Sequence, residues 1–255
     1  QHFFLSKKFN EHQYVCDKFY EDLEREKPDL CVMTGDLIDS KLRLGPEQFD
    51  LARSFLTNVA EYCPIIIILG NHDLNMQNKE RLDAISPILY SIYSEIKHPI
   101  HFLKNSCVWN LYDINWAVWG VLDDQKNPFT DGLDIAYNKK DFTIGLFHGA
   151  VAGCLTENGY RMTSGIDVKE FEQCNIVMMS DIHTQQSFRN GEIQYTGSFI
   201  QTKTSEEPMG SYLQWDWTGS TYKATVKRLE NVYSTIVDRI PDDLSDIKIE
   251  TFSKD

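Results

Sequence analysis

The chain has 255 residues, 42% of them hydrophobic and 25% charged, a composition that excludes a disordered or fibrous protein and predicts a soluble globular one with a single large core. No apolar run approaches the ~20 residues needed to cross a bilayer, and no charged-then-apolar leader opens the sequence, so membrane association is not expected. The formal charge of −13 opposes non-specific attachment to phosphates, so a nucleic-acid partner would need a local basic patch, a bound metal or a second subunit.

In chain order, the apolar spacing over 10–27 predicts an amphipathic helix stopped by Pro28. A short buried strand over 29–34 ends at Gly35-Asp36, with Asp39 close behind. Pro46 opens a second helix, and Pro64-Ile65-Ile66-Ile67-Ile68-Leu69 then reads as a strand buried on both faces that runs into Gly70-Asn71-His72-Asp73. Two β-α-β steps in a row imply parallel strands joined by right-handed crossovers. A helix over 79–96, interrupted near Pro87, precedes two strands at 108–111 and 114–121. The polar stretch 122–141 reads as a long surface loop, 142–147 as a strand ending at His148-Gly149, and 168–172 as a short helix. A strand over 175–179 ends at Ser180-Asp181-Ile182-His183, and further strands are expected at 193–196, 211–217 and 222–229. From Asn231 the hydrophobic density falls. We divide the chain into a domain over 1–235 and the start of a linker or capping region over 236–255.

The six cysteines are scattered without a CxxC pair and mostly lie in apolar runs, as buried thiols do, which predicts a reducing, cytoplasmic setting. His12, on a helix face, and His98 and His101, beside Pro99, read as exposed, as does His2; Lys7-Lys8 and Lys139-Lys140 read as solvated charge.

Asp36, Asn71, His72, His148, Asp181 and His183 all fall within a few positions of the carboxyl end of a predicted buried strand. Carboxylate, carboxamide and imidazole gathered at one sheet edge form a ligand set for hard or borderline divalent cations. Any one of these residues has a bland reading: a helix cap for Asn-His-Asp, a structural role for His148, a turn carboxylate for Asp39, a surface carboxylate for Asp181. The joint pattern carries the argument.

These blocks resemble those of the calcineurin-like metallophosphoesterases, D-x-H, G-D-x-x-D, G-N-H-D/E, a lone H and G-H-x-H. Gly35-Asp36 through Asp39 matches the second, Gly70-Asn71-His72-Asp73 the third, His148 the fourth and Ser180-Asp181-Ile182-His183 the fifth, with Asp181 in place of its first His. Phe147-His148-Gly149, the segment Tyr195-Thr196-Gly197-Ser198 and Tyr212-Leu213-Gln214-Trp215-Asp216 are most similar to the SbcD branch, nuclease subunits of double-strand-break repair complexes that include the small subunit of phage recombination endonucleases. The D-x-H block is expected upstream of Gln1.

The resemblance implies an α/β fold, a four-layer α/β/β/α sandwich with two packed mixed β-sheets. It implies a DNA exonuclease or endonuclease that uses two divalent cations. Asp36 would bridge them, Asn71, His148 and Asp181 would complete one and His183 would belong to the other, all five converging within one metal shell. His72 would act on the leaving oxygen as a catalytic residue, with Asp39 able to orient its ring. The carboxylate of Asp181, where the family has an imidazole, hardens that site and favours Mn²⁺, then Mg²⁺, over Zn²⁺. Implied partners are DNA and an SbcC-type, SMC-like ATPase subunit, with a homodimer allowed. Two alternatives stay open: a small-molecule phosphodiesterase or phosphatase of the same superfamily, and a non-catalytic, partner-binding module that retains the fold.

Overall fold

The computed structural model describes residues 9–131, 138, 140–219 and 221–235. The expected linker over 236–255 lies outside them, as do His2, Lys7-Lys8 and Lys139. Strands β1 (Cys31–Met33), β2 (Ile65–Ile68) and β3 (Ile100–Leu103) form a parallel sheet in that order. A larger sheet contains β4 (Cys107–Leu111), β5 (Ile114–Trp119), β6 (Thr143–His148), β7 (Ile176–Ser180), β8 (Gln186–Phe188) and β9 (Ile193–Tyr195), in the order β4-β5-β6-β7-β9-β8. Its edges pair antiparallel and its centre parallel, so of the two packed sheets only this one is mixed within its own ladder. Strands β10 (Gly210–Trp217) and β11 (Tyr222–Leu229) form a separate antiparallel hairpin.

The period-two alternation of strands sorts their side chains into layers. Ile65 and Ile67 face helices α1 (Phe9–Glu26), α2 (Pro46–Tyr62) and α3 (Ile85–Ile92), whereas Ile66 and Ile68 face the second sheet. Trp116, Val118, Ile144, Leu146 and Ile176 meet them there. Ala117, Trp119, Phe147, Val177 and Met179 point to the outer side of the second sheet, where Phe171 and Val151 cover them. The layers are therefore helices, sheet, sheet, and a covering of loops with 3-10 turns. An aromatic cluster of Phe19, Phe55, Phe199 and Tyr212 draws β10 against α1 and α2, and the Tyr212 hydroxyl donates to Asp22 at 2.9 Å.

Several expectations change. The helix expected over 79–96 is confined to Ile85–Ile92, and Pro87 falls within its first turn, where a missing N–H is tolerated, rather than interrupting it. Strands β3 and β8 were not expected: one follows Pro99 and carries His101, the other is the polar Gln-Ser-Phe. A one-turn helix α4 (Pro128–Asp131) lies inside the stretch read as loop, with the Asn127 side chain accepting from the Phe129 N–H at 2.9 Å. His12 is fully buried rather than exposed. The neighbouring Glu11 is buried too and accepts from Asn231 at 2.8 Å, so the start of α1 packs under the segment after β11 instead of facing solvent. Among the described residues, no helix is long and apolar enough to cross a membrane.

Asp83 sets the start of α3. Its buried carboxylate accepts from the N–H groups of Ile85 at 3.0 Å and Ser86 at 2.6 Å, and lies 2.6 Å from the Lys104 ammonium. Burial pushes its carboxyl up, but the Lys104 contact and the Ser86 bonds outweigh that and hold it below the usual carboxylate range. A depressed folded-state value means stability that is present above the unfolded value of ~3.9 and is lost as pH falls through the folded one. Asp83→Asn should therefore destabilise the protein by ~1–2 kcal/mol at pH 7. The gap to wild type should close in urea titrations repeated below pH ~4, and a gap that does not change with pH would show the ionic contact to be inert.

Candidate metal centre

Parallel neighbours end side by side, so the carboxyl ends of β1 and β2 form one lip of a cleft and those of β6 and β7 the other. The two lips touch: Nδ1 of His148, the last residue of β6, lies 2.8 Å from the main-chain oxygen of Thr34, just after β1. A carbonyl oxygen can only accept, so Nδ1 carries the proton and Nε2 is left with its lone pair. The Ser180 hydroxyl, at the end of β7, is 2.9 Å from the same Nδ1 and also donates to Thr34.

Oxygens surround Nε2 of His148. Asn71 Oδ1 is 2.9 Å away, Asp36 Oδ2 3.2 Å and Asp181 Oδ1 3.7 Å. Ligand atoms of Asp36, His148 and Asp181 all lie within 4.8 Å of one another. Lone pairs converging on one point repel unless a positive charge sits among them. The charges around the ring act in the same sense: burial pulls His148 down, but Asp36 and Asp181 outweigh it and raise its imidazole above the ordinary value. Asp36 is shifted the other way, its burial outweighed by surroundings that include His148, and is held below the usual carboxylate range. The donor set thus fits a divalent cation.

The backbone at two of these residues is unusual. Asp36 has φ 54° and Asp181 φ 88°, left-handed values that L-residues with side chains rarely adopt. Each lies just past a strand, so the bend turns its carboxylate back across the strand ends. Gly35, at φ 93°, has no room for a side chain, because a Cβ there would lie 2.6 Å from the Gly70 nitrogen and 2.7 Å from His148 Nδ1.

Asp73, fully buried, ties the loops of the first lip together. One of its oxygens accepts from the N–H groups of Asp36 and Gly70, each at 2.9 Å, and the other from Ile38 at 3.1 Å. The Lys41 N–H adds a bond to the His72 carbonyl at 3.0 Å. Sequence reasoning assigns no role to Asp73; its place directly after Asn71-His72 is the one signal that could have found it.

His72 is half-buried. Its N–H donates to Asp36 Oδ1 at 2.9 Å, and its ring Nδ1 contacts the main-chain oxygen of Asp39. The Asp39 carbonyl is thus one group that orients the ring. His183 stands outside the close group. It is buried, and its Nδ1 lies 2.6 Å from Glu206 Oε1. Glu206 has no local sequence signal, since it lies in a turn whose significance depends on a residue 23 positions away. Burial pushes its carboxyl up, but the bonds from His183 and Thr202 together outweigh that and hold it at about 2.

Residues 11–185 match the calcineurin-like phosphoesterase family. The uncharacterized protein R555 of Acanthamoeba polyphaga mimivirus is 33% identical over 238 residues, 89% of this chain and 17% of that protein. The SbcD component of the SbcCD nuclease of Staphylococcus saprophyticus is 26% identical over 227 residues, 77% of this chain and 57% of that protein. Its counterpart in Staphylococcus epidermidis is 26% identical over 218 residues, 76% of this chain and 56% of that protein. The chain thus spans only part of the length of each of these three relatives.

Proposed function

Since the chain belongs to the calcineurin-like phosphoesterase family, whose members use divalent metals, we propose that it is the nuclease part of an SbcD-like protein that hydrolyses DNA phosphodiesters. The observation that carries this reading is the convergence of Asp36, Asn71, His148 and Asp181 across the two lips of the cleft. Similarity to two proteins named as SbcD components of the SbcCD nuclease directs it towards DNA. Bound divalent cations supply charge stabilisation at the phosphate oxygens and lower the pKa of water. The carboxylates of Asp36 and Asp181 favour Mn²⁺ or Mg²⁺ there over softer ions.

The residues of the chain would divide the remaining work. Asp36, Asn71, His148 and Asp181 would hold one ion, and His183, with Asp36, would serve the other. His72 serves the leaving oxygen. Its Nδ1–H is committed to the Asp39 carbonyl, so Nε2 is the nitrogen that can pass a proton to the departing group. With a net charge of −13, binding of duplex would depend on a partner protein, for which an SbcC-type ATPase is the choice suggested by the named relatives.

The test compares substrates. The full-length protein with Mn²⁺ should release nucleotides from DNA, more so with its ATPase partner, and turn over a small aryl phosphate ester poorly. Efficient turnover of the ester with DNA left intact would make it a small-molecule phosphodiesterase. Neither activity, in a protein that binds metal and partner, would make it a non-catalytic module.

A further inference from the structure

Glu206 lies in the turn between β9 and β10 and is 5% exposed, yet it is surrounded by hydrogen-bond donors. Its Oε1 is 2.6 Å from His183 Nδ1 and 2.6 Å from the Thr202 hydroxyl. Its Oε2 accepts from the Thr202 N–H at 2.8 Å and the Ser198 hydroxyl at 3.0 Å. Four donors on one buried carboxylate leave it little freedom. The turn is held in its own right: the Gln201 side chain donates to the carbonyl oxygens of Glu206 at 3.2 Å and Thr235 at 3.0 Å and accepts from the Thr235 N–H at 2.8 Å.

A carboxylate that is already accepting three other bonds acts on the ring as an acceptor, so Nδ1 of His183 holds the proton and Nε2 holds the lone pair. The contrast with His148 is chemical. The Nδ1 of His148 leans on a neutral carbonyl and a hydroxyl, whereas the Nδ1 of His183 leans on an anion, and an anionic partner makes an imidazole a stronger electron-pair donor. We infer that Glu206 is a positioning residue for the second cation: it fixes the tautomer and ring plane of His183 so that Nε2 is the ligand atom. The inference rests on the reading of His183 as a ligand of that ion. It also makes the two imidazoles unequal, so the ion held by His183 is the one whose affinity depends on a charge not itself in contact with metal.

The experiment is a calorimetric Mn²⁺ titration of the full-length protein, its Glu206→Gln variant and its His183→Ala variant, with thermal melts of the metal-free forms. Gln keeps the shape and an acceptor oxygen but removes the charge. It should weaken one of the two ions by ~10–100-fold and leave the other unchanged. His183→Ala should weaken the same ion at least as much. If His183→Ala loses an ion and a folded Glu206→Gln binds both as wild type does, Glu206 is merely structural and this inference fails while the ligand reading stands. If His183→Ala itself binds both ions normally, the ligand reading fails and carries this inference with it. Should Glu206→Gln not fold, the tautomer decides on wild-type protein: ¹⁵N shifts of metal-free His183 should show protonated Nδ1 and bare Nε2, and the reverse pattern would overturn the proposal.

Discussion

His72→Ala is expected to lower the rate of phosphodiester hydrolysis by ~10²–10⁴ while leaving bound metal nearly intact, because a positioned proton donor contributes to the transition state and not to the resting site. The structure separates its duties. Its main chain holds Asp36 through an N–H bond of 2.9 Å that alanine preserves, and only the ring is lost. Asp36→Asn should behave differently and lose both metal and activity. Asparagine tolerates the left-handed backbone at this position, φ 54°, so the loss would report on the missing charge and not on strain. The measurements are metal content after desalting and single-turnover cleavage of labelled DNA. If His72→Ala loses metal as fully as Asp36→Asn, the ring is a ligand and the role given to it is wrong.

Gly70→Ala should remove metal binding and destabilise the fold by at least ~1–3 kcal/mol, the range for forcing a group into packed space. A Cβ on Gly70 would sit on top of Asp36, 2.7 Å from its Cγ and closer still to its carboxylate oxygen and main-chain nitrogen. The clash falls on the carboxylate at the centre of the site and on an N–H that Asp73 accepts. Neither can yield without opening the bonds that tie the two loops together. Gly153→Ala is the control: it has a left-handed φ of 90° but nothing within 4 Å of the added carbon, so only the backbone penalty of ~1–2 kcal/mol applies and metal affinity should not change. Urea denaturation and a Mn²⁺ titration of both variants give the comparison. Normal metal affinity in Gly70→Ala would mean that the first lip is far more pliable than its bonding suggests.

The β1-α2-β2 unit was legible because Ile65 to Ile68 form an uninterrupted apolar run, buried throughout, with helical spacing before it and polar residues after it. The same contrast, apolar strand then polar cluster, marked His148 and Asp181. Legibility ended where the signal is not local. Strand β3 is hidden by Pro99 and His101, which read as a connection until its pairing with β2 is seen. His12 looks exposed on the helix pattern alone and is buried, beside a Glu11 that is bonded to Asn231 more than 200 residues away, an association no window along α1 contains. Glu206 and the carbonyl of Asp39 belong to the same class, since neither a main-chain acceptor nor an acidic residue in a turn advertises the ring it will meet.

The cleft draws its candidate ligands from separate sheets, Asp36 and Asn71 from behind β1 and β2, His148 and Asp181 from behind β6 and β7. A cation bound there is a crosslink between the halves of the sandwich. Its binding free energy is then also docking free energy for the two sheets, ~2.7 kcal/mol at a hundredfold excess over the dissociation constant. The linkage runs in both directions. Any ligand or protein that grips one half and shifts it against the other must change metal affinity by the same factor by which metal changes its own.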